Sequence, residues 1–266
     1  MEIKDNSRER EEFLLILNAF RKMIYSLENS AESISHFQDM VIYRASALME
    51  RALEGLKIDF NRALELLQAK NIHTSAREEL ERDTLIAAFD NLIDFATAEE
   101  YAMMQELPEE IDYNDMEIYN SICQKYNEQY AIVENEQVLH AATIAYFWMG
   151  TSAETIITYN TQNDERVRAW HQSFDGLSYK KSEFPPELIP PIEWACRCFL
   201  TSNGYGSVDS SILKPEITYD PIFAESLATG GRIFSDAHPY FKHKLPKEII
   251  KITNNLKQRL YAKVNP

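Results

Sequence analysis

Residues 13–53 read FLLILNAFRKMIYSLENSAESISHFQDMVIYRASALMERAL, and the spacing of their apolar side chains sets the fold class. Phe13, Leu14, Leu17, Phe20, Ile24 and Leu27 recur at threes and fours, as do Ile34, Phe37, Val41, Leu48, Ala52 and Leu53. That period lines up one face of a helix, so two amphipathic helices are predicted, each with an apolar stripe to bury and a charged face for water. Working outward, a shorter helix is expected after Asp59, whose carboxylate can cap the orphan amides ahead of Ala63, Leu64 and Leu67. Another starts near Ser75, with Glu78 placed for a capping box, and runs through Leu85, Phe89, Leu92, Ile93 and Phe95. Residues 115–126 suit one more. The apolar stripes are expected to form the core of a bundle, and the acidic outer faces to be solvated.

Glycine and proline mark where this pattern stops. Only Gly55, Gly150 and Pro108 fall in the first 150 residues, whereas five glycines and nine prolines follow. Both residues disfavour helix interiors, so long helices give way to turns and irregular connections near residue 150. Charge changes at the same border. Residues 1–150 hold 13 Lys and Arg against 29 Asp and Glu, and the rest of the chain 14 against 13. The net charge of -15 argues against a protein that coats nucleic acid nonspecifically, a role that needs cations to displace condensed counterions. The first twelve residues lack the apolar core of a secretory signal. The most apolar run, residues 138–149, contains His140 and falls short of the roughly 20 residues of a membrane span. A chain that is soluble and intracellular at synthesis is therefore expected, with no membrane partner. Three cysteines, Cys123, Cys196 and Cys198, cannot form a disulfide framework and point to reduced thiols or a metal site.

Beyond the border, residues 155–161 (TIITYNT) are rich in β-branched and aromatic side chains and predict a strand, followed by a polar turn at 162–165. Residues 184–191 carry four prolines and read as a loop. Residues 198–200 begin a second strand that ends in the Gly204 and Gly206 turn, and 248–262 a closing helix.

The chemistry concentrates in residues 164–198. DERVRAWH (164–171) is followed by Asp175 and Gly176, then by PPIEWACRC (190–198). His171, Cys196 and Cys198 are ligands of the kind zinc prefers. Asp164, Glu193 or a distant histidine such as His238 are the candidates for a fourth. The simpler alternative makes the cysteines small buried hydrophobes, with His171 hydrogen-bonded to the backbone or to Asp164. Arg166, Arg168 and Arg197, beside Asp164, Glu165 and Glu193, predict ion pairs that pin two loops together. Gly176 suits a turn with positive φ. Two other uses of this segment are open. Cys196 or Cys198 could act as a nucleophile with His171 as base and Asp164 as orienting group, making a Cys/His hydrolase. Arg166, Arg168, Lys180 and Lys181 with Trp170, Phe174 and Tyr179 could instead grip a nucleic-acid strand, although Asp164, Glu165, Asp175 and Glu183 cancel much of their field. No nucleophile elbow, P-loop or HExxH motif is present, and Gly204–Tyr205–Gly206 lacks the rest of a dinucleotide fingerprint.

The order Asp-x-Arg-Val-Arg, two residues, His, a short gap, Gly, a proline-bearing loop and Cys-Arg-Cys resembles the signature of the phage Mu F-like head morphogenesis family. Downstream, PIFAESLATGGRIFSDAHPYF (221–241) is similar to the family's trailing segment, with Pro191, His238, Pro239 and Tyr240 among the shared positions. The resemblance spans about residues 138–241. It implies a non-enzymatic minor head protein that binds the portal or the major capsid protein during head assembly and genome packaging or retention. It further implies contact with packaged DNA, and a location in the virion after assembly in the host cytoplasm. Some relatives have cysteines in place of Arg168 and His171 and a histidine in place of Glu193, a set that looks like a four-ligand metal site. Here that leaves His171, Cys196 and Cys198, with zinc as the metal that would suit them. The whole is expected to be an α+β protein: an acidic helical region (1–130), a loop-rich Mu F-like module core (131–200), and a trailing loop with a C-terminal helix (201–266).

Overall fold

The computed structural model describes residues 7–68, 75–204 and 219–262; His73 and most of the Gly204–Gly206 turn fall outside them. In chain order the α-helices are α1 (Ser7–Tyr25), α2 (Ser30–Leu56), α3 (Phe60–Gln68), α4 (Ala76–Met104), α5 (Met116–Gln124), α6 (Ala131–Met149), α7 (Ala169–Gln172) and α8 (Lys247–Tyr261). The strands are β1 (Ile156–Asn160), β2 (Ser178–Lys180) and β3 (Phe199–Ser202). The fold is α+β, helical in its N-terminal region, with a small antiparallel sheet.

Local signals act where the sequence places them. The Asp59 carboxylate accepts the Arg62 amide at 3.0 Å to open α3, and Ser75 Oγ accepts the Glu78 amide at 3.2 Å to open α4. The stripe of α1 is buried at Phe13, Ile16, Leu17, Phe20, Met23 and Ile24, while Leu14 is turned outward because it lies about 100° round the helix from Phe13. A π-helical turn, Lys125–Tyr130, joins α5 to α6, and the spacing of apolar residues does not announce it. Strand β2 was also not expected. Only three residues long, it is held between a turn and a 3-10 segment and is too short for alternation to show.

The described residues pack as two compact units, one drawn from residues 1–50, 89–135 and 238–266, the other from 51–88 and 136–237. In the first, the expectation that acidic helix faces meet water fails at three positions. Glu99, Glu100 and Glu134 are buried around Arg44, which is itself 1% exposed. Arg44 donates to Glu99 at 2.7 Å, to Glu134 at 2.5 Å and to Asn135 at 2.7 Å. Burial opposes the charge of Arg44, but Glu99 and Glu134 outweigh it and raise its pKa. The Tyr240 hydroxyl donates to Glu134 at 3.0 Å, so the HPYF segment closes over this network. His238 caps the short turn Pro239–Lys242, accepting the Tyr240 amide, and its ring packs edge-on against Phe95. Burial holds its imidazole neutral, with the pKa down to about 4. Helix α8 is tied in by Lys257 to Asp94 and by the Tyr261 hydroxyl to Asp90, both at 2.7 Å.

In the second unit β1 is the central strand, order β2-β1-β3, with Ile157 opposite both Tyr179 and Ser202 and Thr158 opposite Ser178 and Thr201. Gly176, at φ +82°, lets the chain turn back so that its amide reaches the Tyr159 carbonyl at 2.9 Å. Asp175 fixes the same corner by accepting the Thr161 amide at 2.6 Å and its hydroxyl at 2.9 Å. The end of α2 passes so close to α6 that only glycine fits at position 55.

Candidate metal centre

Three elements converge in the second unit: α7, which carries His171, and the turn and strand entry that carry Cys196 and Cys198. The turn forms because the Cys196 amide bonds back to the Glu193 carbonyl at 3.1 Å, with Ala195 in the left-handed region at φ +55°. A non-glycine residue there costs about 1 kcal/mol, a local strain of the kind that clusters at functional sites. The result is that Cys196 and Cys198 present their sulfurs to the same ring. His171 Nδ1 lies 3.3 Å from Cys198 Sγ and 3.9 Å from Cys196 Sγ. The three ligand atoms all lie within 4.8 Å of one another, and all three residues are buried.

The other face of the imidazole is set by a carboxylate. Glu193 Oε2 lies 3.1 Å from His171 Nε2, and since a carboxylate only accepts, Nε2 is the donor of that pair while Nδ1 faces the sulfurs. Glu193 is held in turn by Arg168, whose Nε is 3.1 Å from Oε1 and whose Nη2 donates to the Trp194 carbonyl at 2.9 Å. Trp170 stands edge-on to His171 at 4.0 Å between centroids. A hydrogen bond from Cys198 pulls Cys196 well below the ordinary thiol range, overcoming burial, while the same bond together with burial pushes Cys198 up. The Tyr159 hydroxyl borders Cys198, and burial foremost keeps that phenol protonated.

The carboxylates put forward for a fourth ligand are placed otherwise. Glu193 is on the far ring nitrogen from the sulfurs. Asp164 forms a two-pronged pair with Arg197, at 2.8 and 2.6 Å, and accepts the Arg166 amide at 3.0 Å, which lowers its pKa. It therefore neither bonds His171 nor orients it, and its exposed position makes it a loop clasp. His238 belongs to the first unit and is used there as a cap. Arg166 is exposed, and Pro191 is buried beside the cysteine turn in sequence, after a cis Pro190–Pro191 bond.

One residue of the site had no sequence signal. His140, on α6, stands 56 places before Cys196. Its ring interacts with Cys196 and favours the thiolate, and its Nε2 is buried with no hydrogen-bond partner. No spacing rule connects a mid-helix histidine to a turn that far along the chain.

A buried His/Cys/Cys cluster at the entry to strand β3 of a small antiparallel sheet is what this geometry defines. Residues 97–201 match the family described as phage Mu protein F like protein, to which that segment is similar. The match starts earlier than the resemblance at 138, so it takes in Glu99, Glu100 and Glu134, and it ends before the HPYF segment at 238–241. An uncharacterized protein of Methanocaldococcus jannaschii is 44% identical over 45 residues, which cover 17% of this chain and 7% of that protein. No solved structure matches.

Proposed function

We propose that the protein is a non-enzymatic minor component of phage heads that docks on the portal or the inner capsid during assembly and genome packaging. The observation that carries this reading is the Mu F-like match over residues 97–201, a family of structural head proteins, which includes the whole of the 164–198 constellation. Its His171, Cys196 and Cys198 hold a metal ion as a structural clasp. The cysteines are 3% and 2% exposed, which suits enclosure of an ion and not presentation of a nucleophile to substrate. Although Arg166 stands exposed, most of the cations and rings named for a strand-binding surface are engaged or buried. Lys181 donates to the Trp148 and Thr151 carbonyls, Lys180 pairs with Glu154 and Arg168 with Glu193, while Phe174 and Tyr179 are buried. No helix among the described residues is long and apolar enough to cross a membrane.

Localisation tests the function. Mass spectrometry of purified procapsids and mature particles is expected to find the chain in both or in procapsids alone, and affinity-tagged chain is expected to retain portal or capsid protein from infected cells. Absence from both kinds of particle refutes the assignment.

A further inference from the structure

We propose that His140 supplies the fourth ligand of a tetrahedral zinc centre with His171, Cys196 and Cys198, Glu193 remaining outside it as the partner of the His171 ring. The proposal rests on reading the trio as a metal clasp and assigns the position that reading leaves open.

Geometry gives the first argument. Zinc bonds of roughly 2.3 Å to sulfur and 2.0–2.1 Å to nitrogen at tetrahedral angles put sulfur and nitrogen ligands about 3.5 Å apart. The separations from His171 Nδ1 to the two sulfurs, 3.3 and 3.9 Å, bracket that edge. Glu193 accepts from Nε2 and so leaves Nδ1 as the ring atom that faces the two sulfurs, the side a metal would take. A carboxylate behind a ligating histidine is the usual outer support of zinc sites, and Arg168 fixes this one.

The choice among donors for a fourth position gives the second. A structural zinc site closes with four protein ligands, and the carboxylates of Asp164 and Glu193 are spoken for by Arg197 and by His171 with Arg168. Tyr159 borders Cys198 but keeps its proton. His140 reaches Cys196 from another element, outside the 4.8 Å trio, and carries a buried nitrogen that nothing satisfies. A buried imidazole nitrogen without a partner is costly, and coordination would remove that cost. Closing the site needs the His140 ring to move in on the trio. The ion would then clamp α6 to the cysteine turn, which lies more than 50 residues on from His140.

Cobalt in place of zinc gives a direct readout on the full-length chain. The wild type is expected to bind one Co²⁺, displaceable by Zn²⁺, with the visible bands of a tetrahedral site and thiolate-to-metal charge transfer. His140→Ala is expected to weaken binding roughly 100-fold or more, beyond the 10- to 100-fold typical of losing an outer partner, which is the range expected for Glu193→Gln. His140→Cys keeps a ligand and guards against simple misfolding. With three thiolates in place of two, its charge-transfer absorption should rise by about half. His36→Ala is the control and should change nothing. If the wild type binds cobalt tetrahedrally and both His140 variants leave affinity and spectrum unchanged, the His140 assignment fails and the trio stands with another fourth ligand. If the wild type takes up neither Co²⁺ nor Zn²⁺, the metal reading itself fails.

Discussion

Gly55→Ala is the sharpest test of the packing that seats α6. A β-carbon at position 55 would stand 2.6 Å from Ala142 Cβ, 2.6 Å from the Leu139 carbonyl oxygen and 2.9 Å from the Thr143 amide nitrogen. Carbon atoms are comfortable at about 3.5–4.0 Å, so α2 and α6 must part by about 1 Å, and two of the three obstacles are backbone that cannot rotate aside. Overpacking of this kind costs about 1–3 kcal/mol, and the absence of a flexible neighbour places this case near 3. Alanine in a helix recovers about 1 kcal/mol over glycine, leaving a net loss of about 2 kcal/mol. For a domain of this size that lowers Tm by roughly 4–8 °C. Gly150→Ala is the internal control. Its nearest neighbours would be the Phe147 and Tyr146 carbonyl oxygens at 3.4 and 3.6 Å, and stability should stay within about 0.5 kcal/mol of wild type. Thermal and urea unfolding of the two variants beside wild type measure the difference. A Gly55→Ala protein as stable as wild type, or more so, would refute the close approach of the two helices.

Arg44→Met is expected to destabilise by about 3–5 kcal/mol in urea unfolding, because Glu99 and Glu134 would be left buried without their cation; a change under 1 kcal/mol would show that the network carries no such strain. The buried carboxylates also fix the sign of a pH dependence. Burial pushes Glu100 up to about 8 from an ordinary 4.5 and raises Glu99 in the same sense, so between these values the folded state keeps a proton that the unfolded chain has released. Stability should therefore fall as pH rises through that window and level off above it, and Glu100→Gln should flatten the slope of the urea midpoint against pH; parallel slopes would refute the buried proton. Glu106, Asp164 and Asp175, whose pKa values are lowered, act oppositely and lose their contribution only as pH falls below the ordinary carboxylate range. Mobility-shift titration of the full chain with single-stranded and duplex DNA at low salt is expected to show no binding; a shift that weakens steeply with added salt would revive a nucleic-acid role.

Much of the framework was legible in one dimension because its causes are local. Helical spacing, the Asp59 and Ser75 caps, the β-branched run in β1 and the scarcity of glycine before residue 150 all act within a few residues of where they are written. The family match rests likewise on a string, and the Asp164 and Arg197 ion pair was legible from the charges at its two ends. Tertiary structure alone decided what those side chains do. Glu99, Glu100 and Glu134 look like three more solvated acids on helix faces until Arg44, more than 50 residues earlier, is folded among them. The carboxylate that orients His171 is Glu193, not Asp164, because the turn at Ala195 brings residues 193 and 196 to opposite nitrogens of one ring. Gly55 lets the end of α2 pack tightly on α6, the helix from which His140 interacts with Cys196. The sequence by itself determined the long helices, strand β1 and the family they resemble, while the three-residue strand β2 and the π-helical turn left no signal in it. The pairing of polar groups within the core was set by burial, which acts on whatever neighbours the fold supplies and leaves no period in the chain.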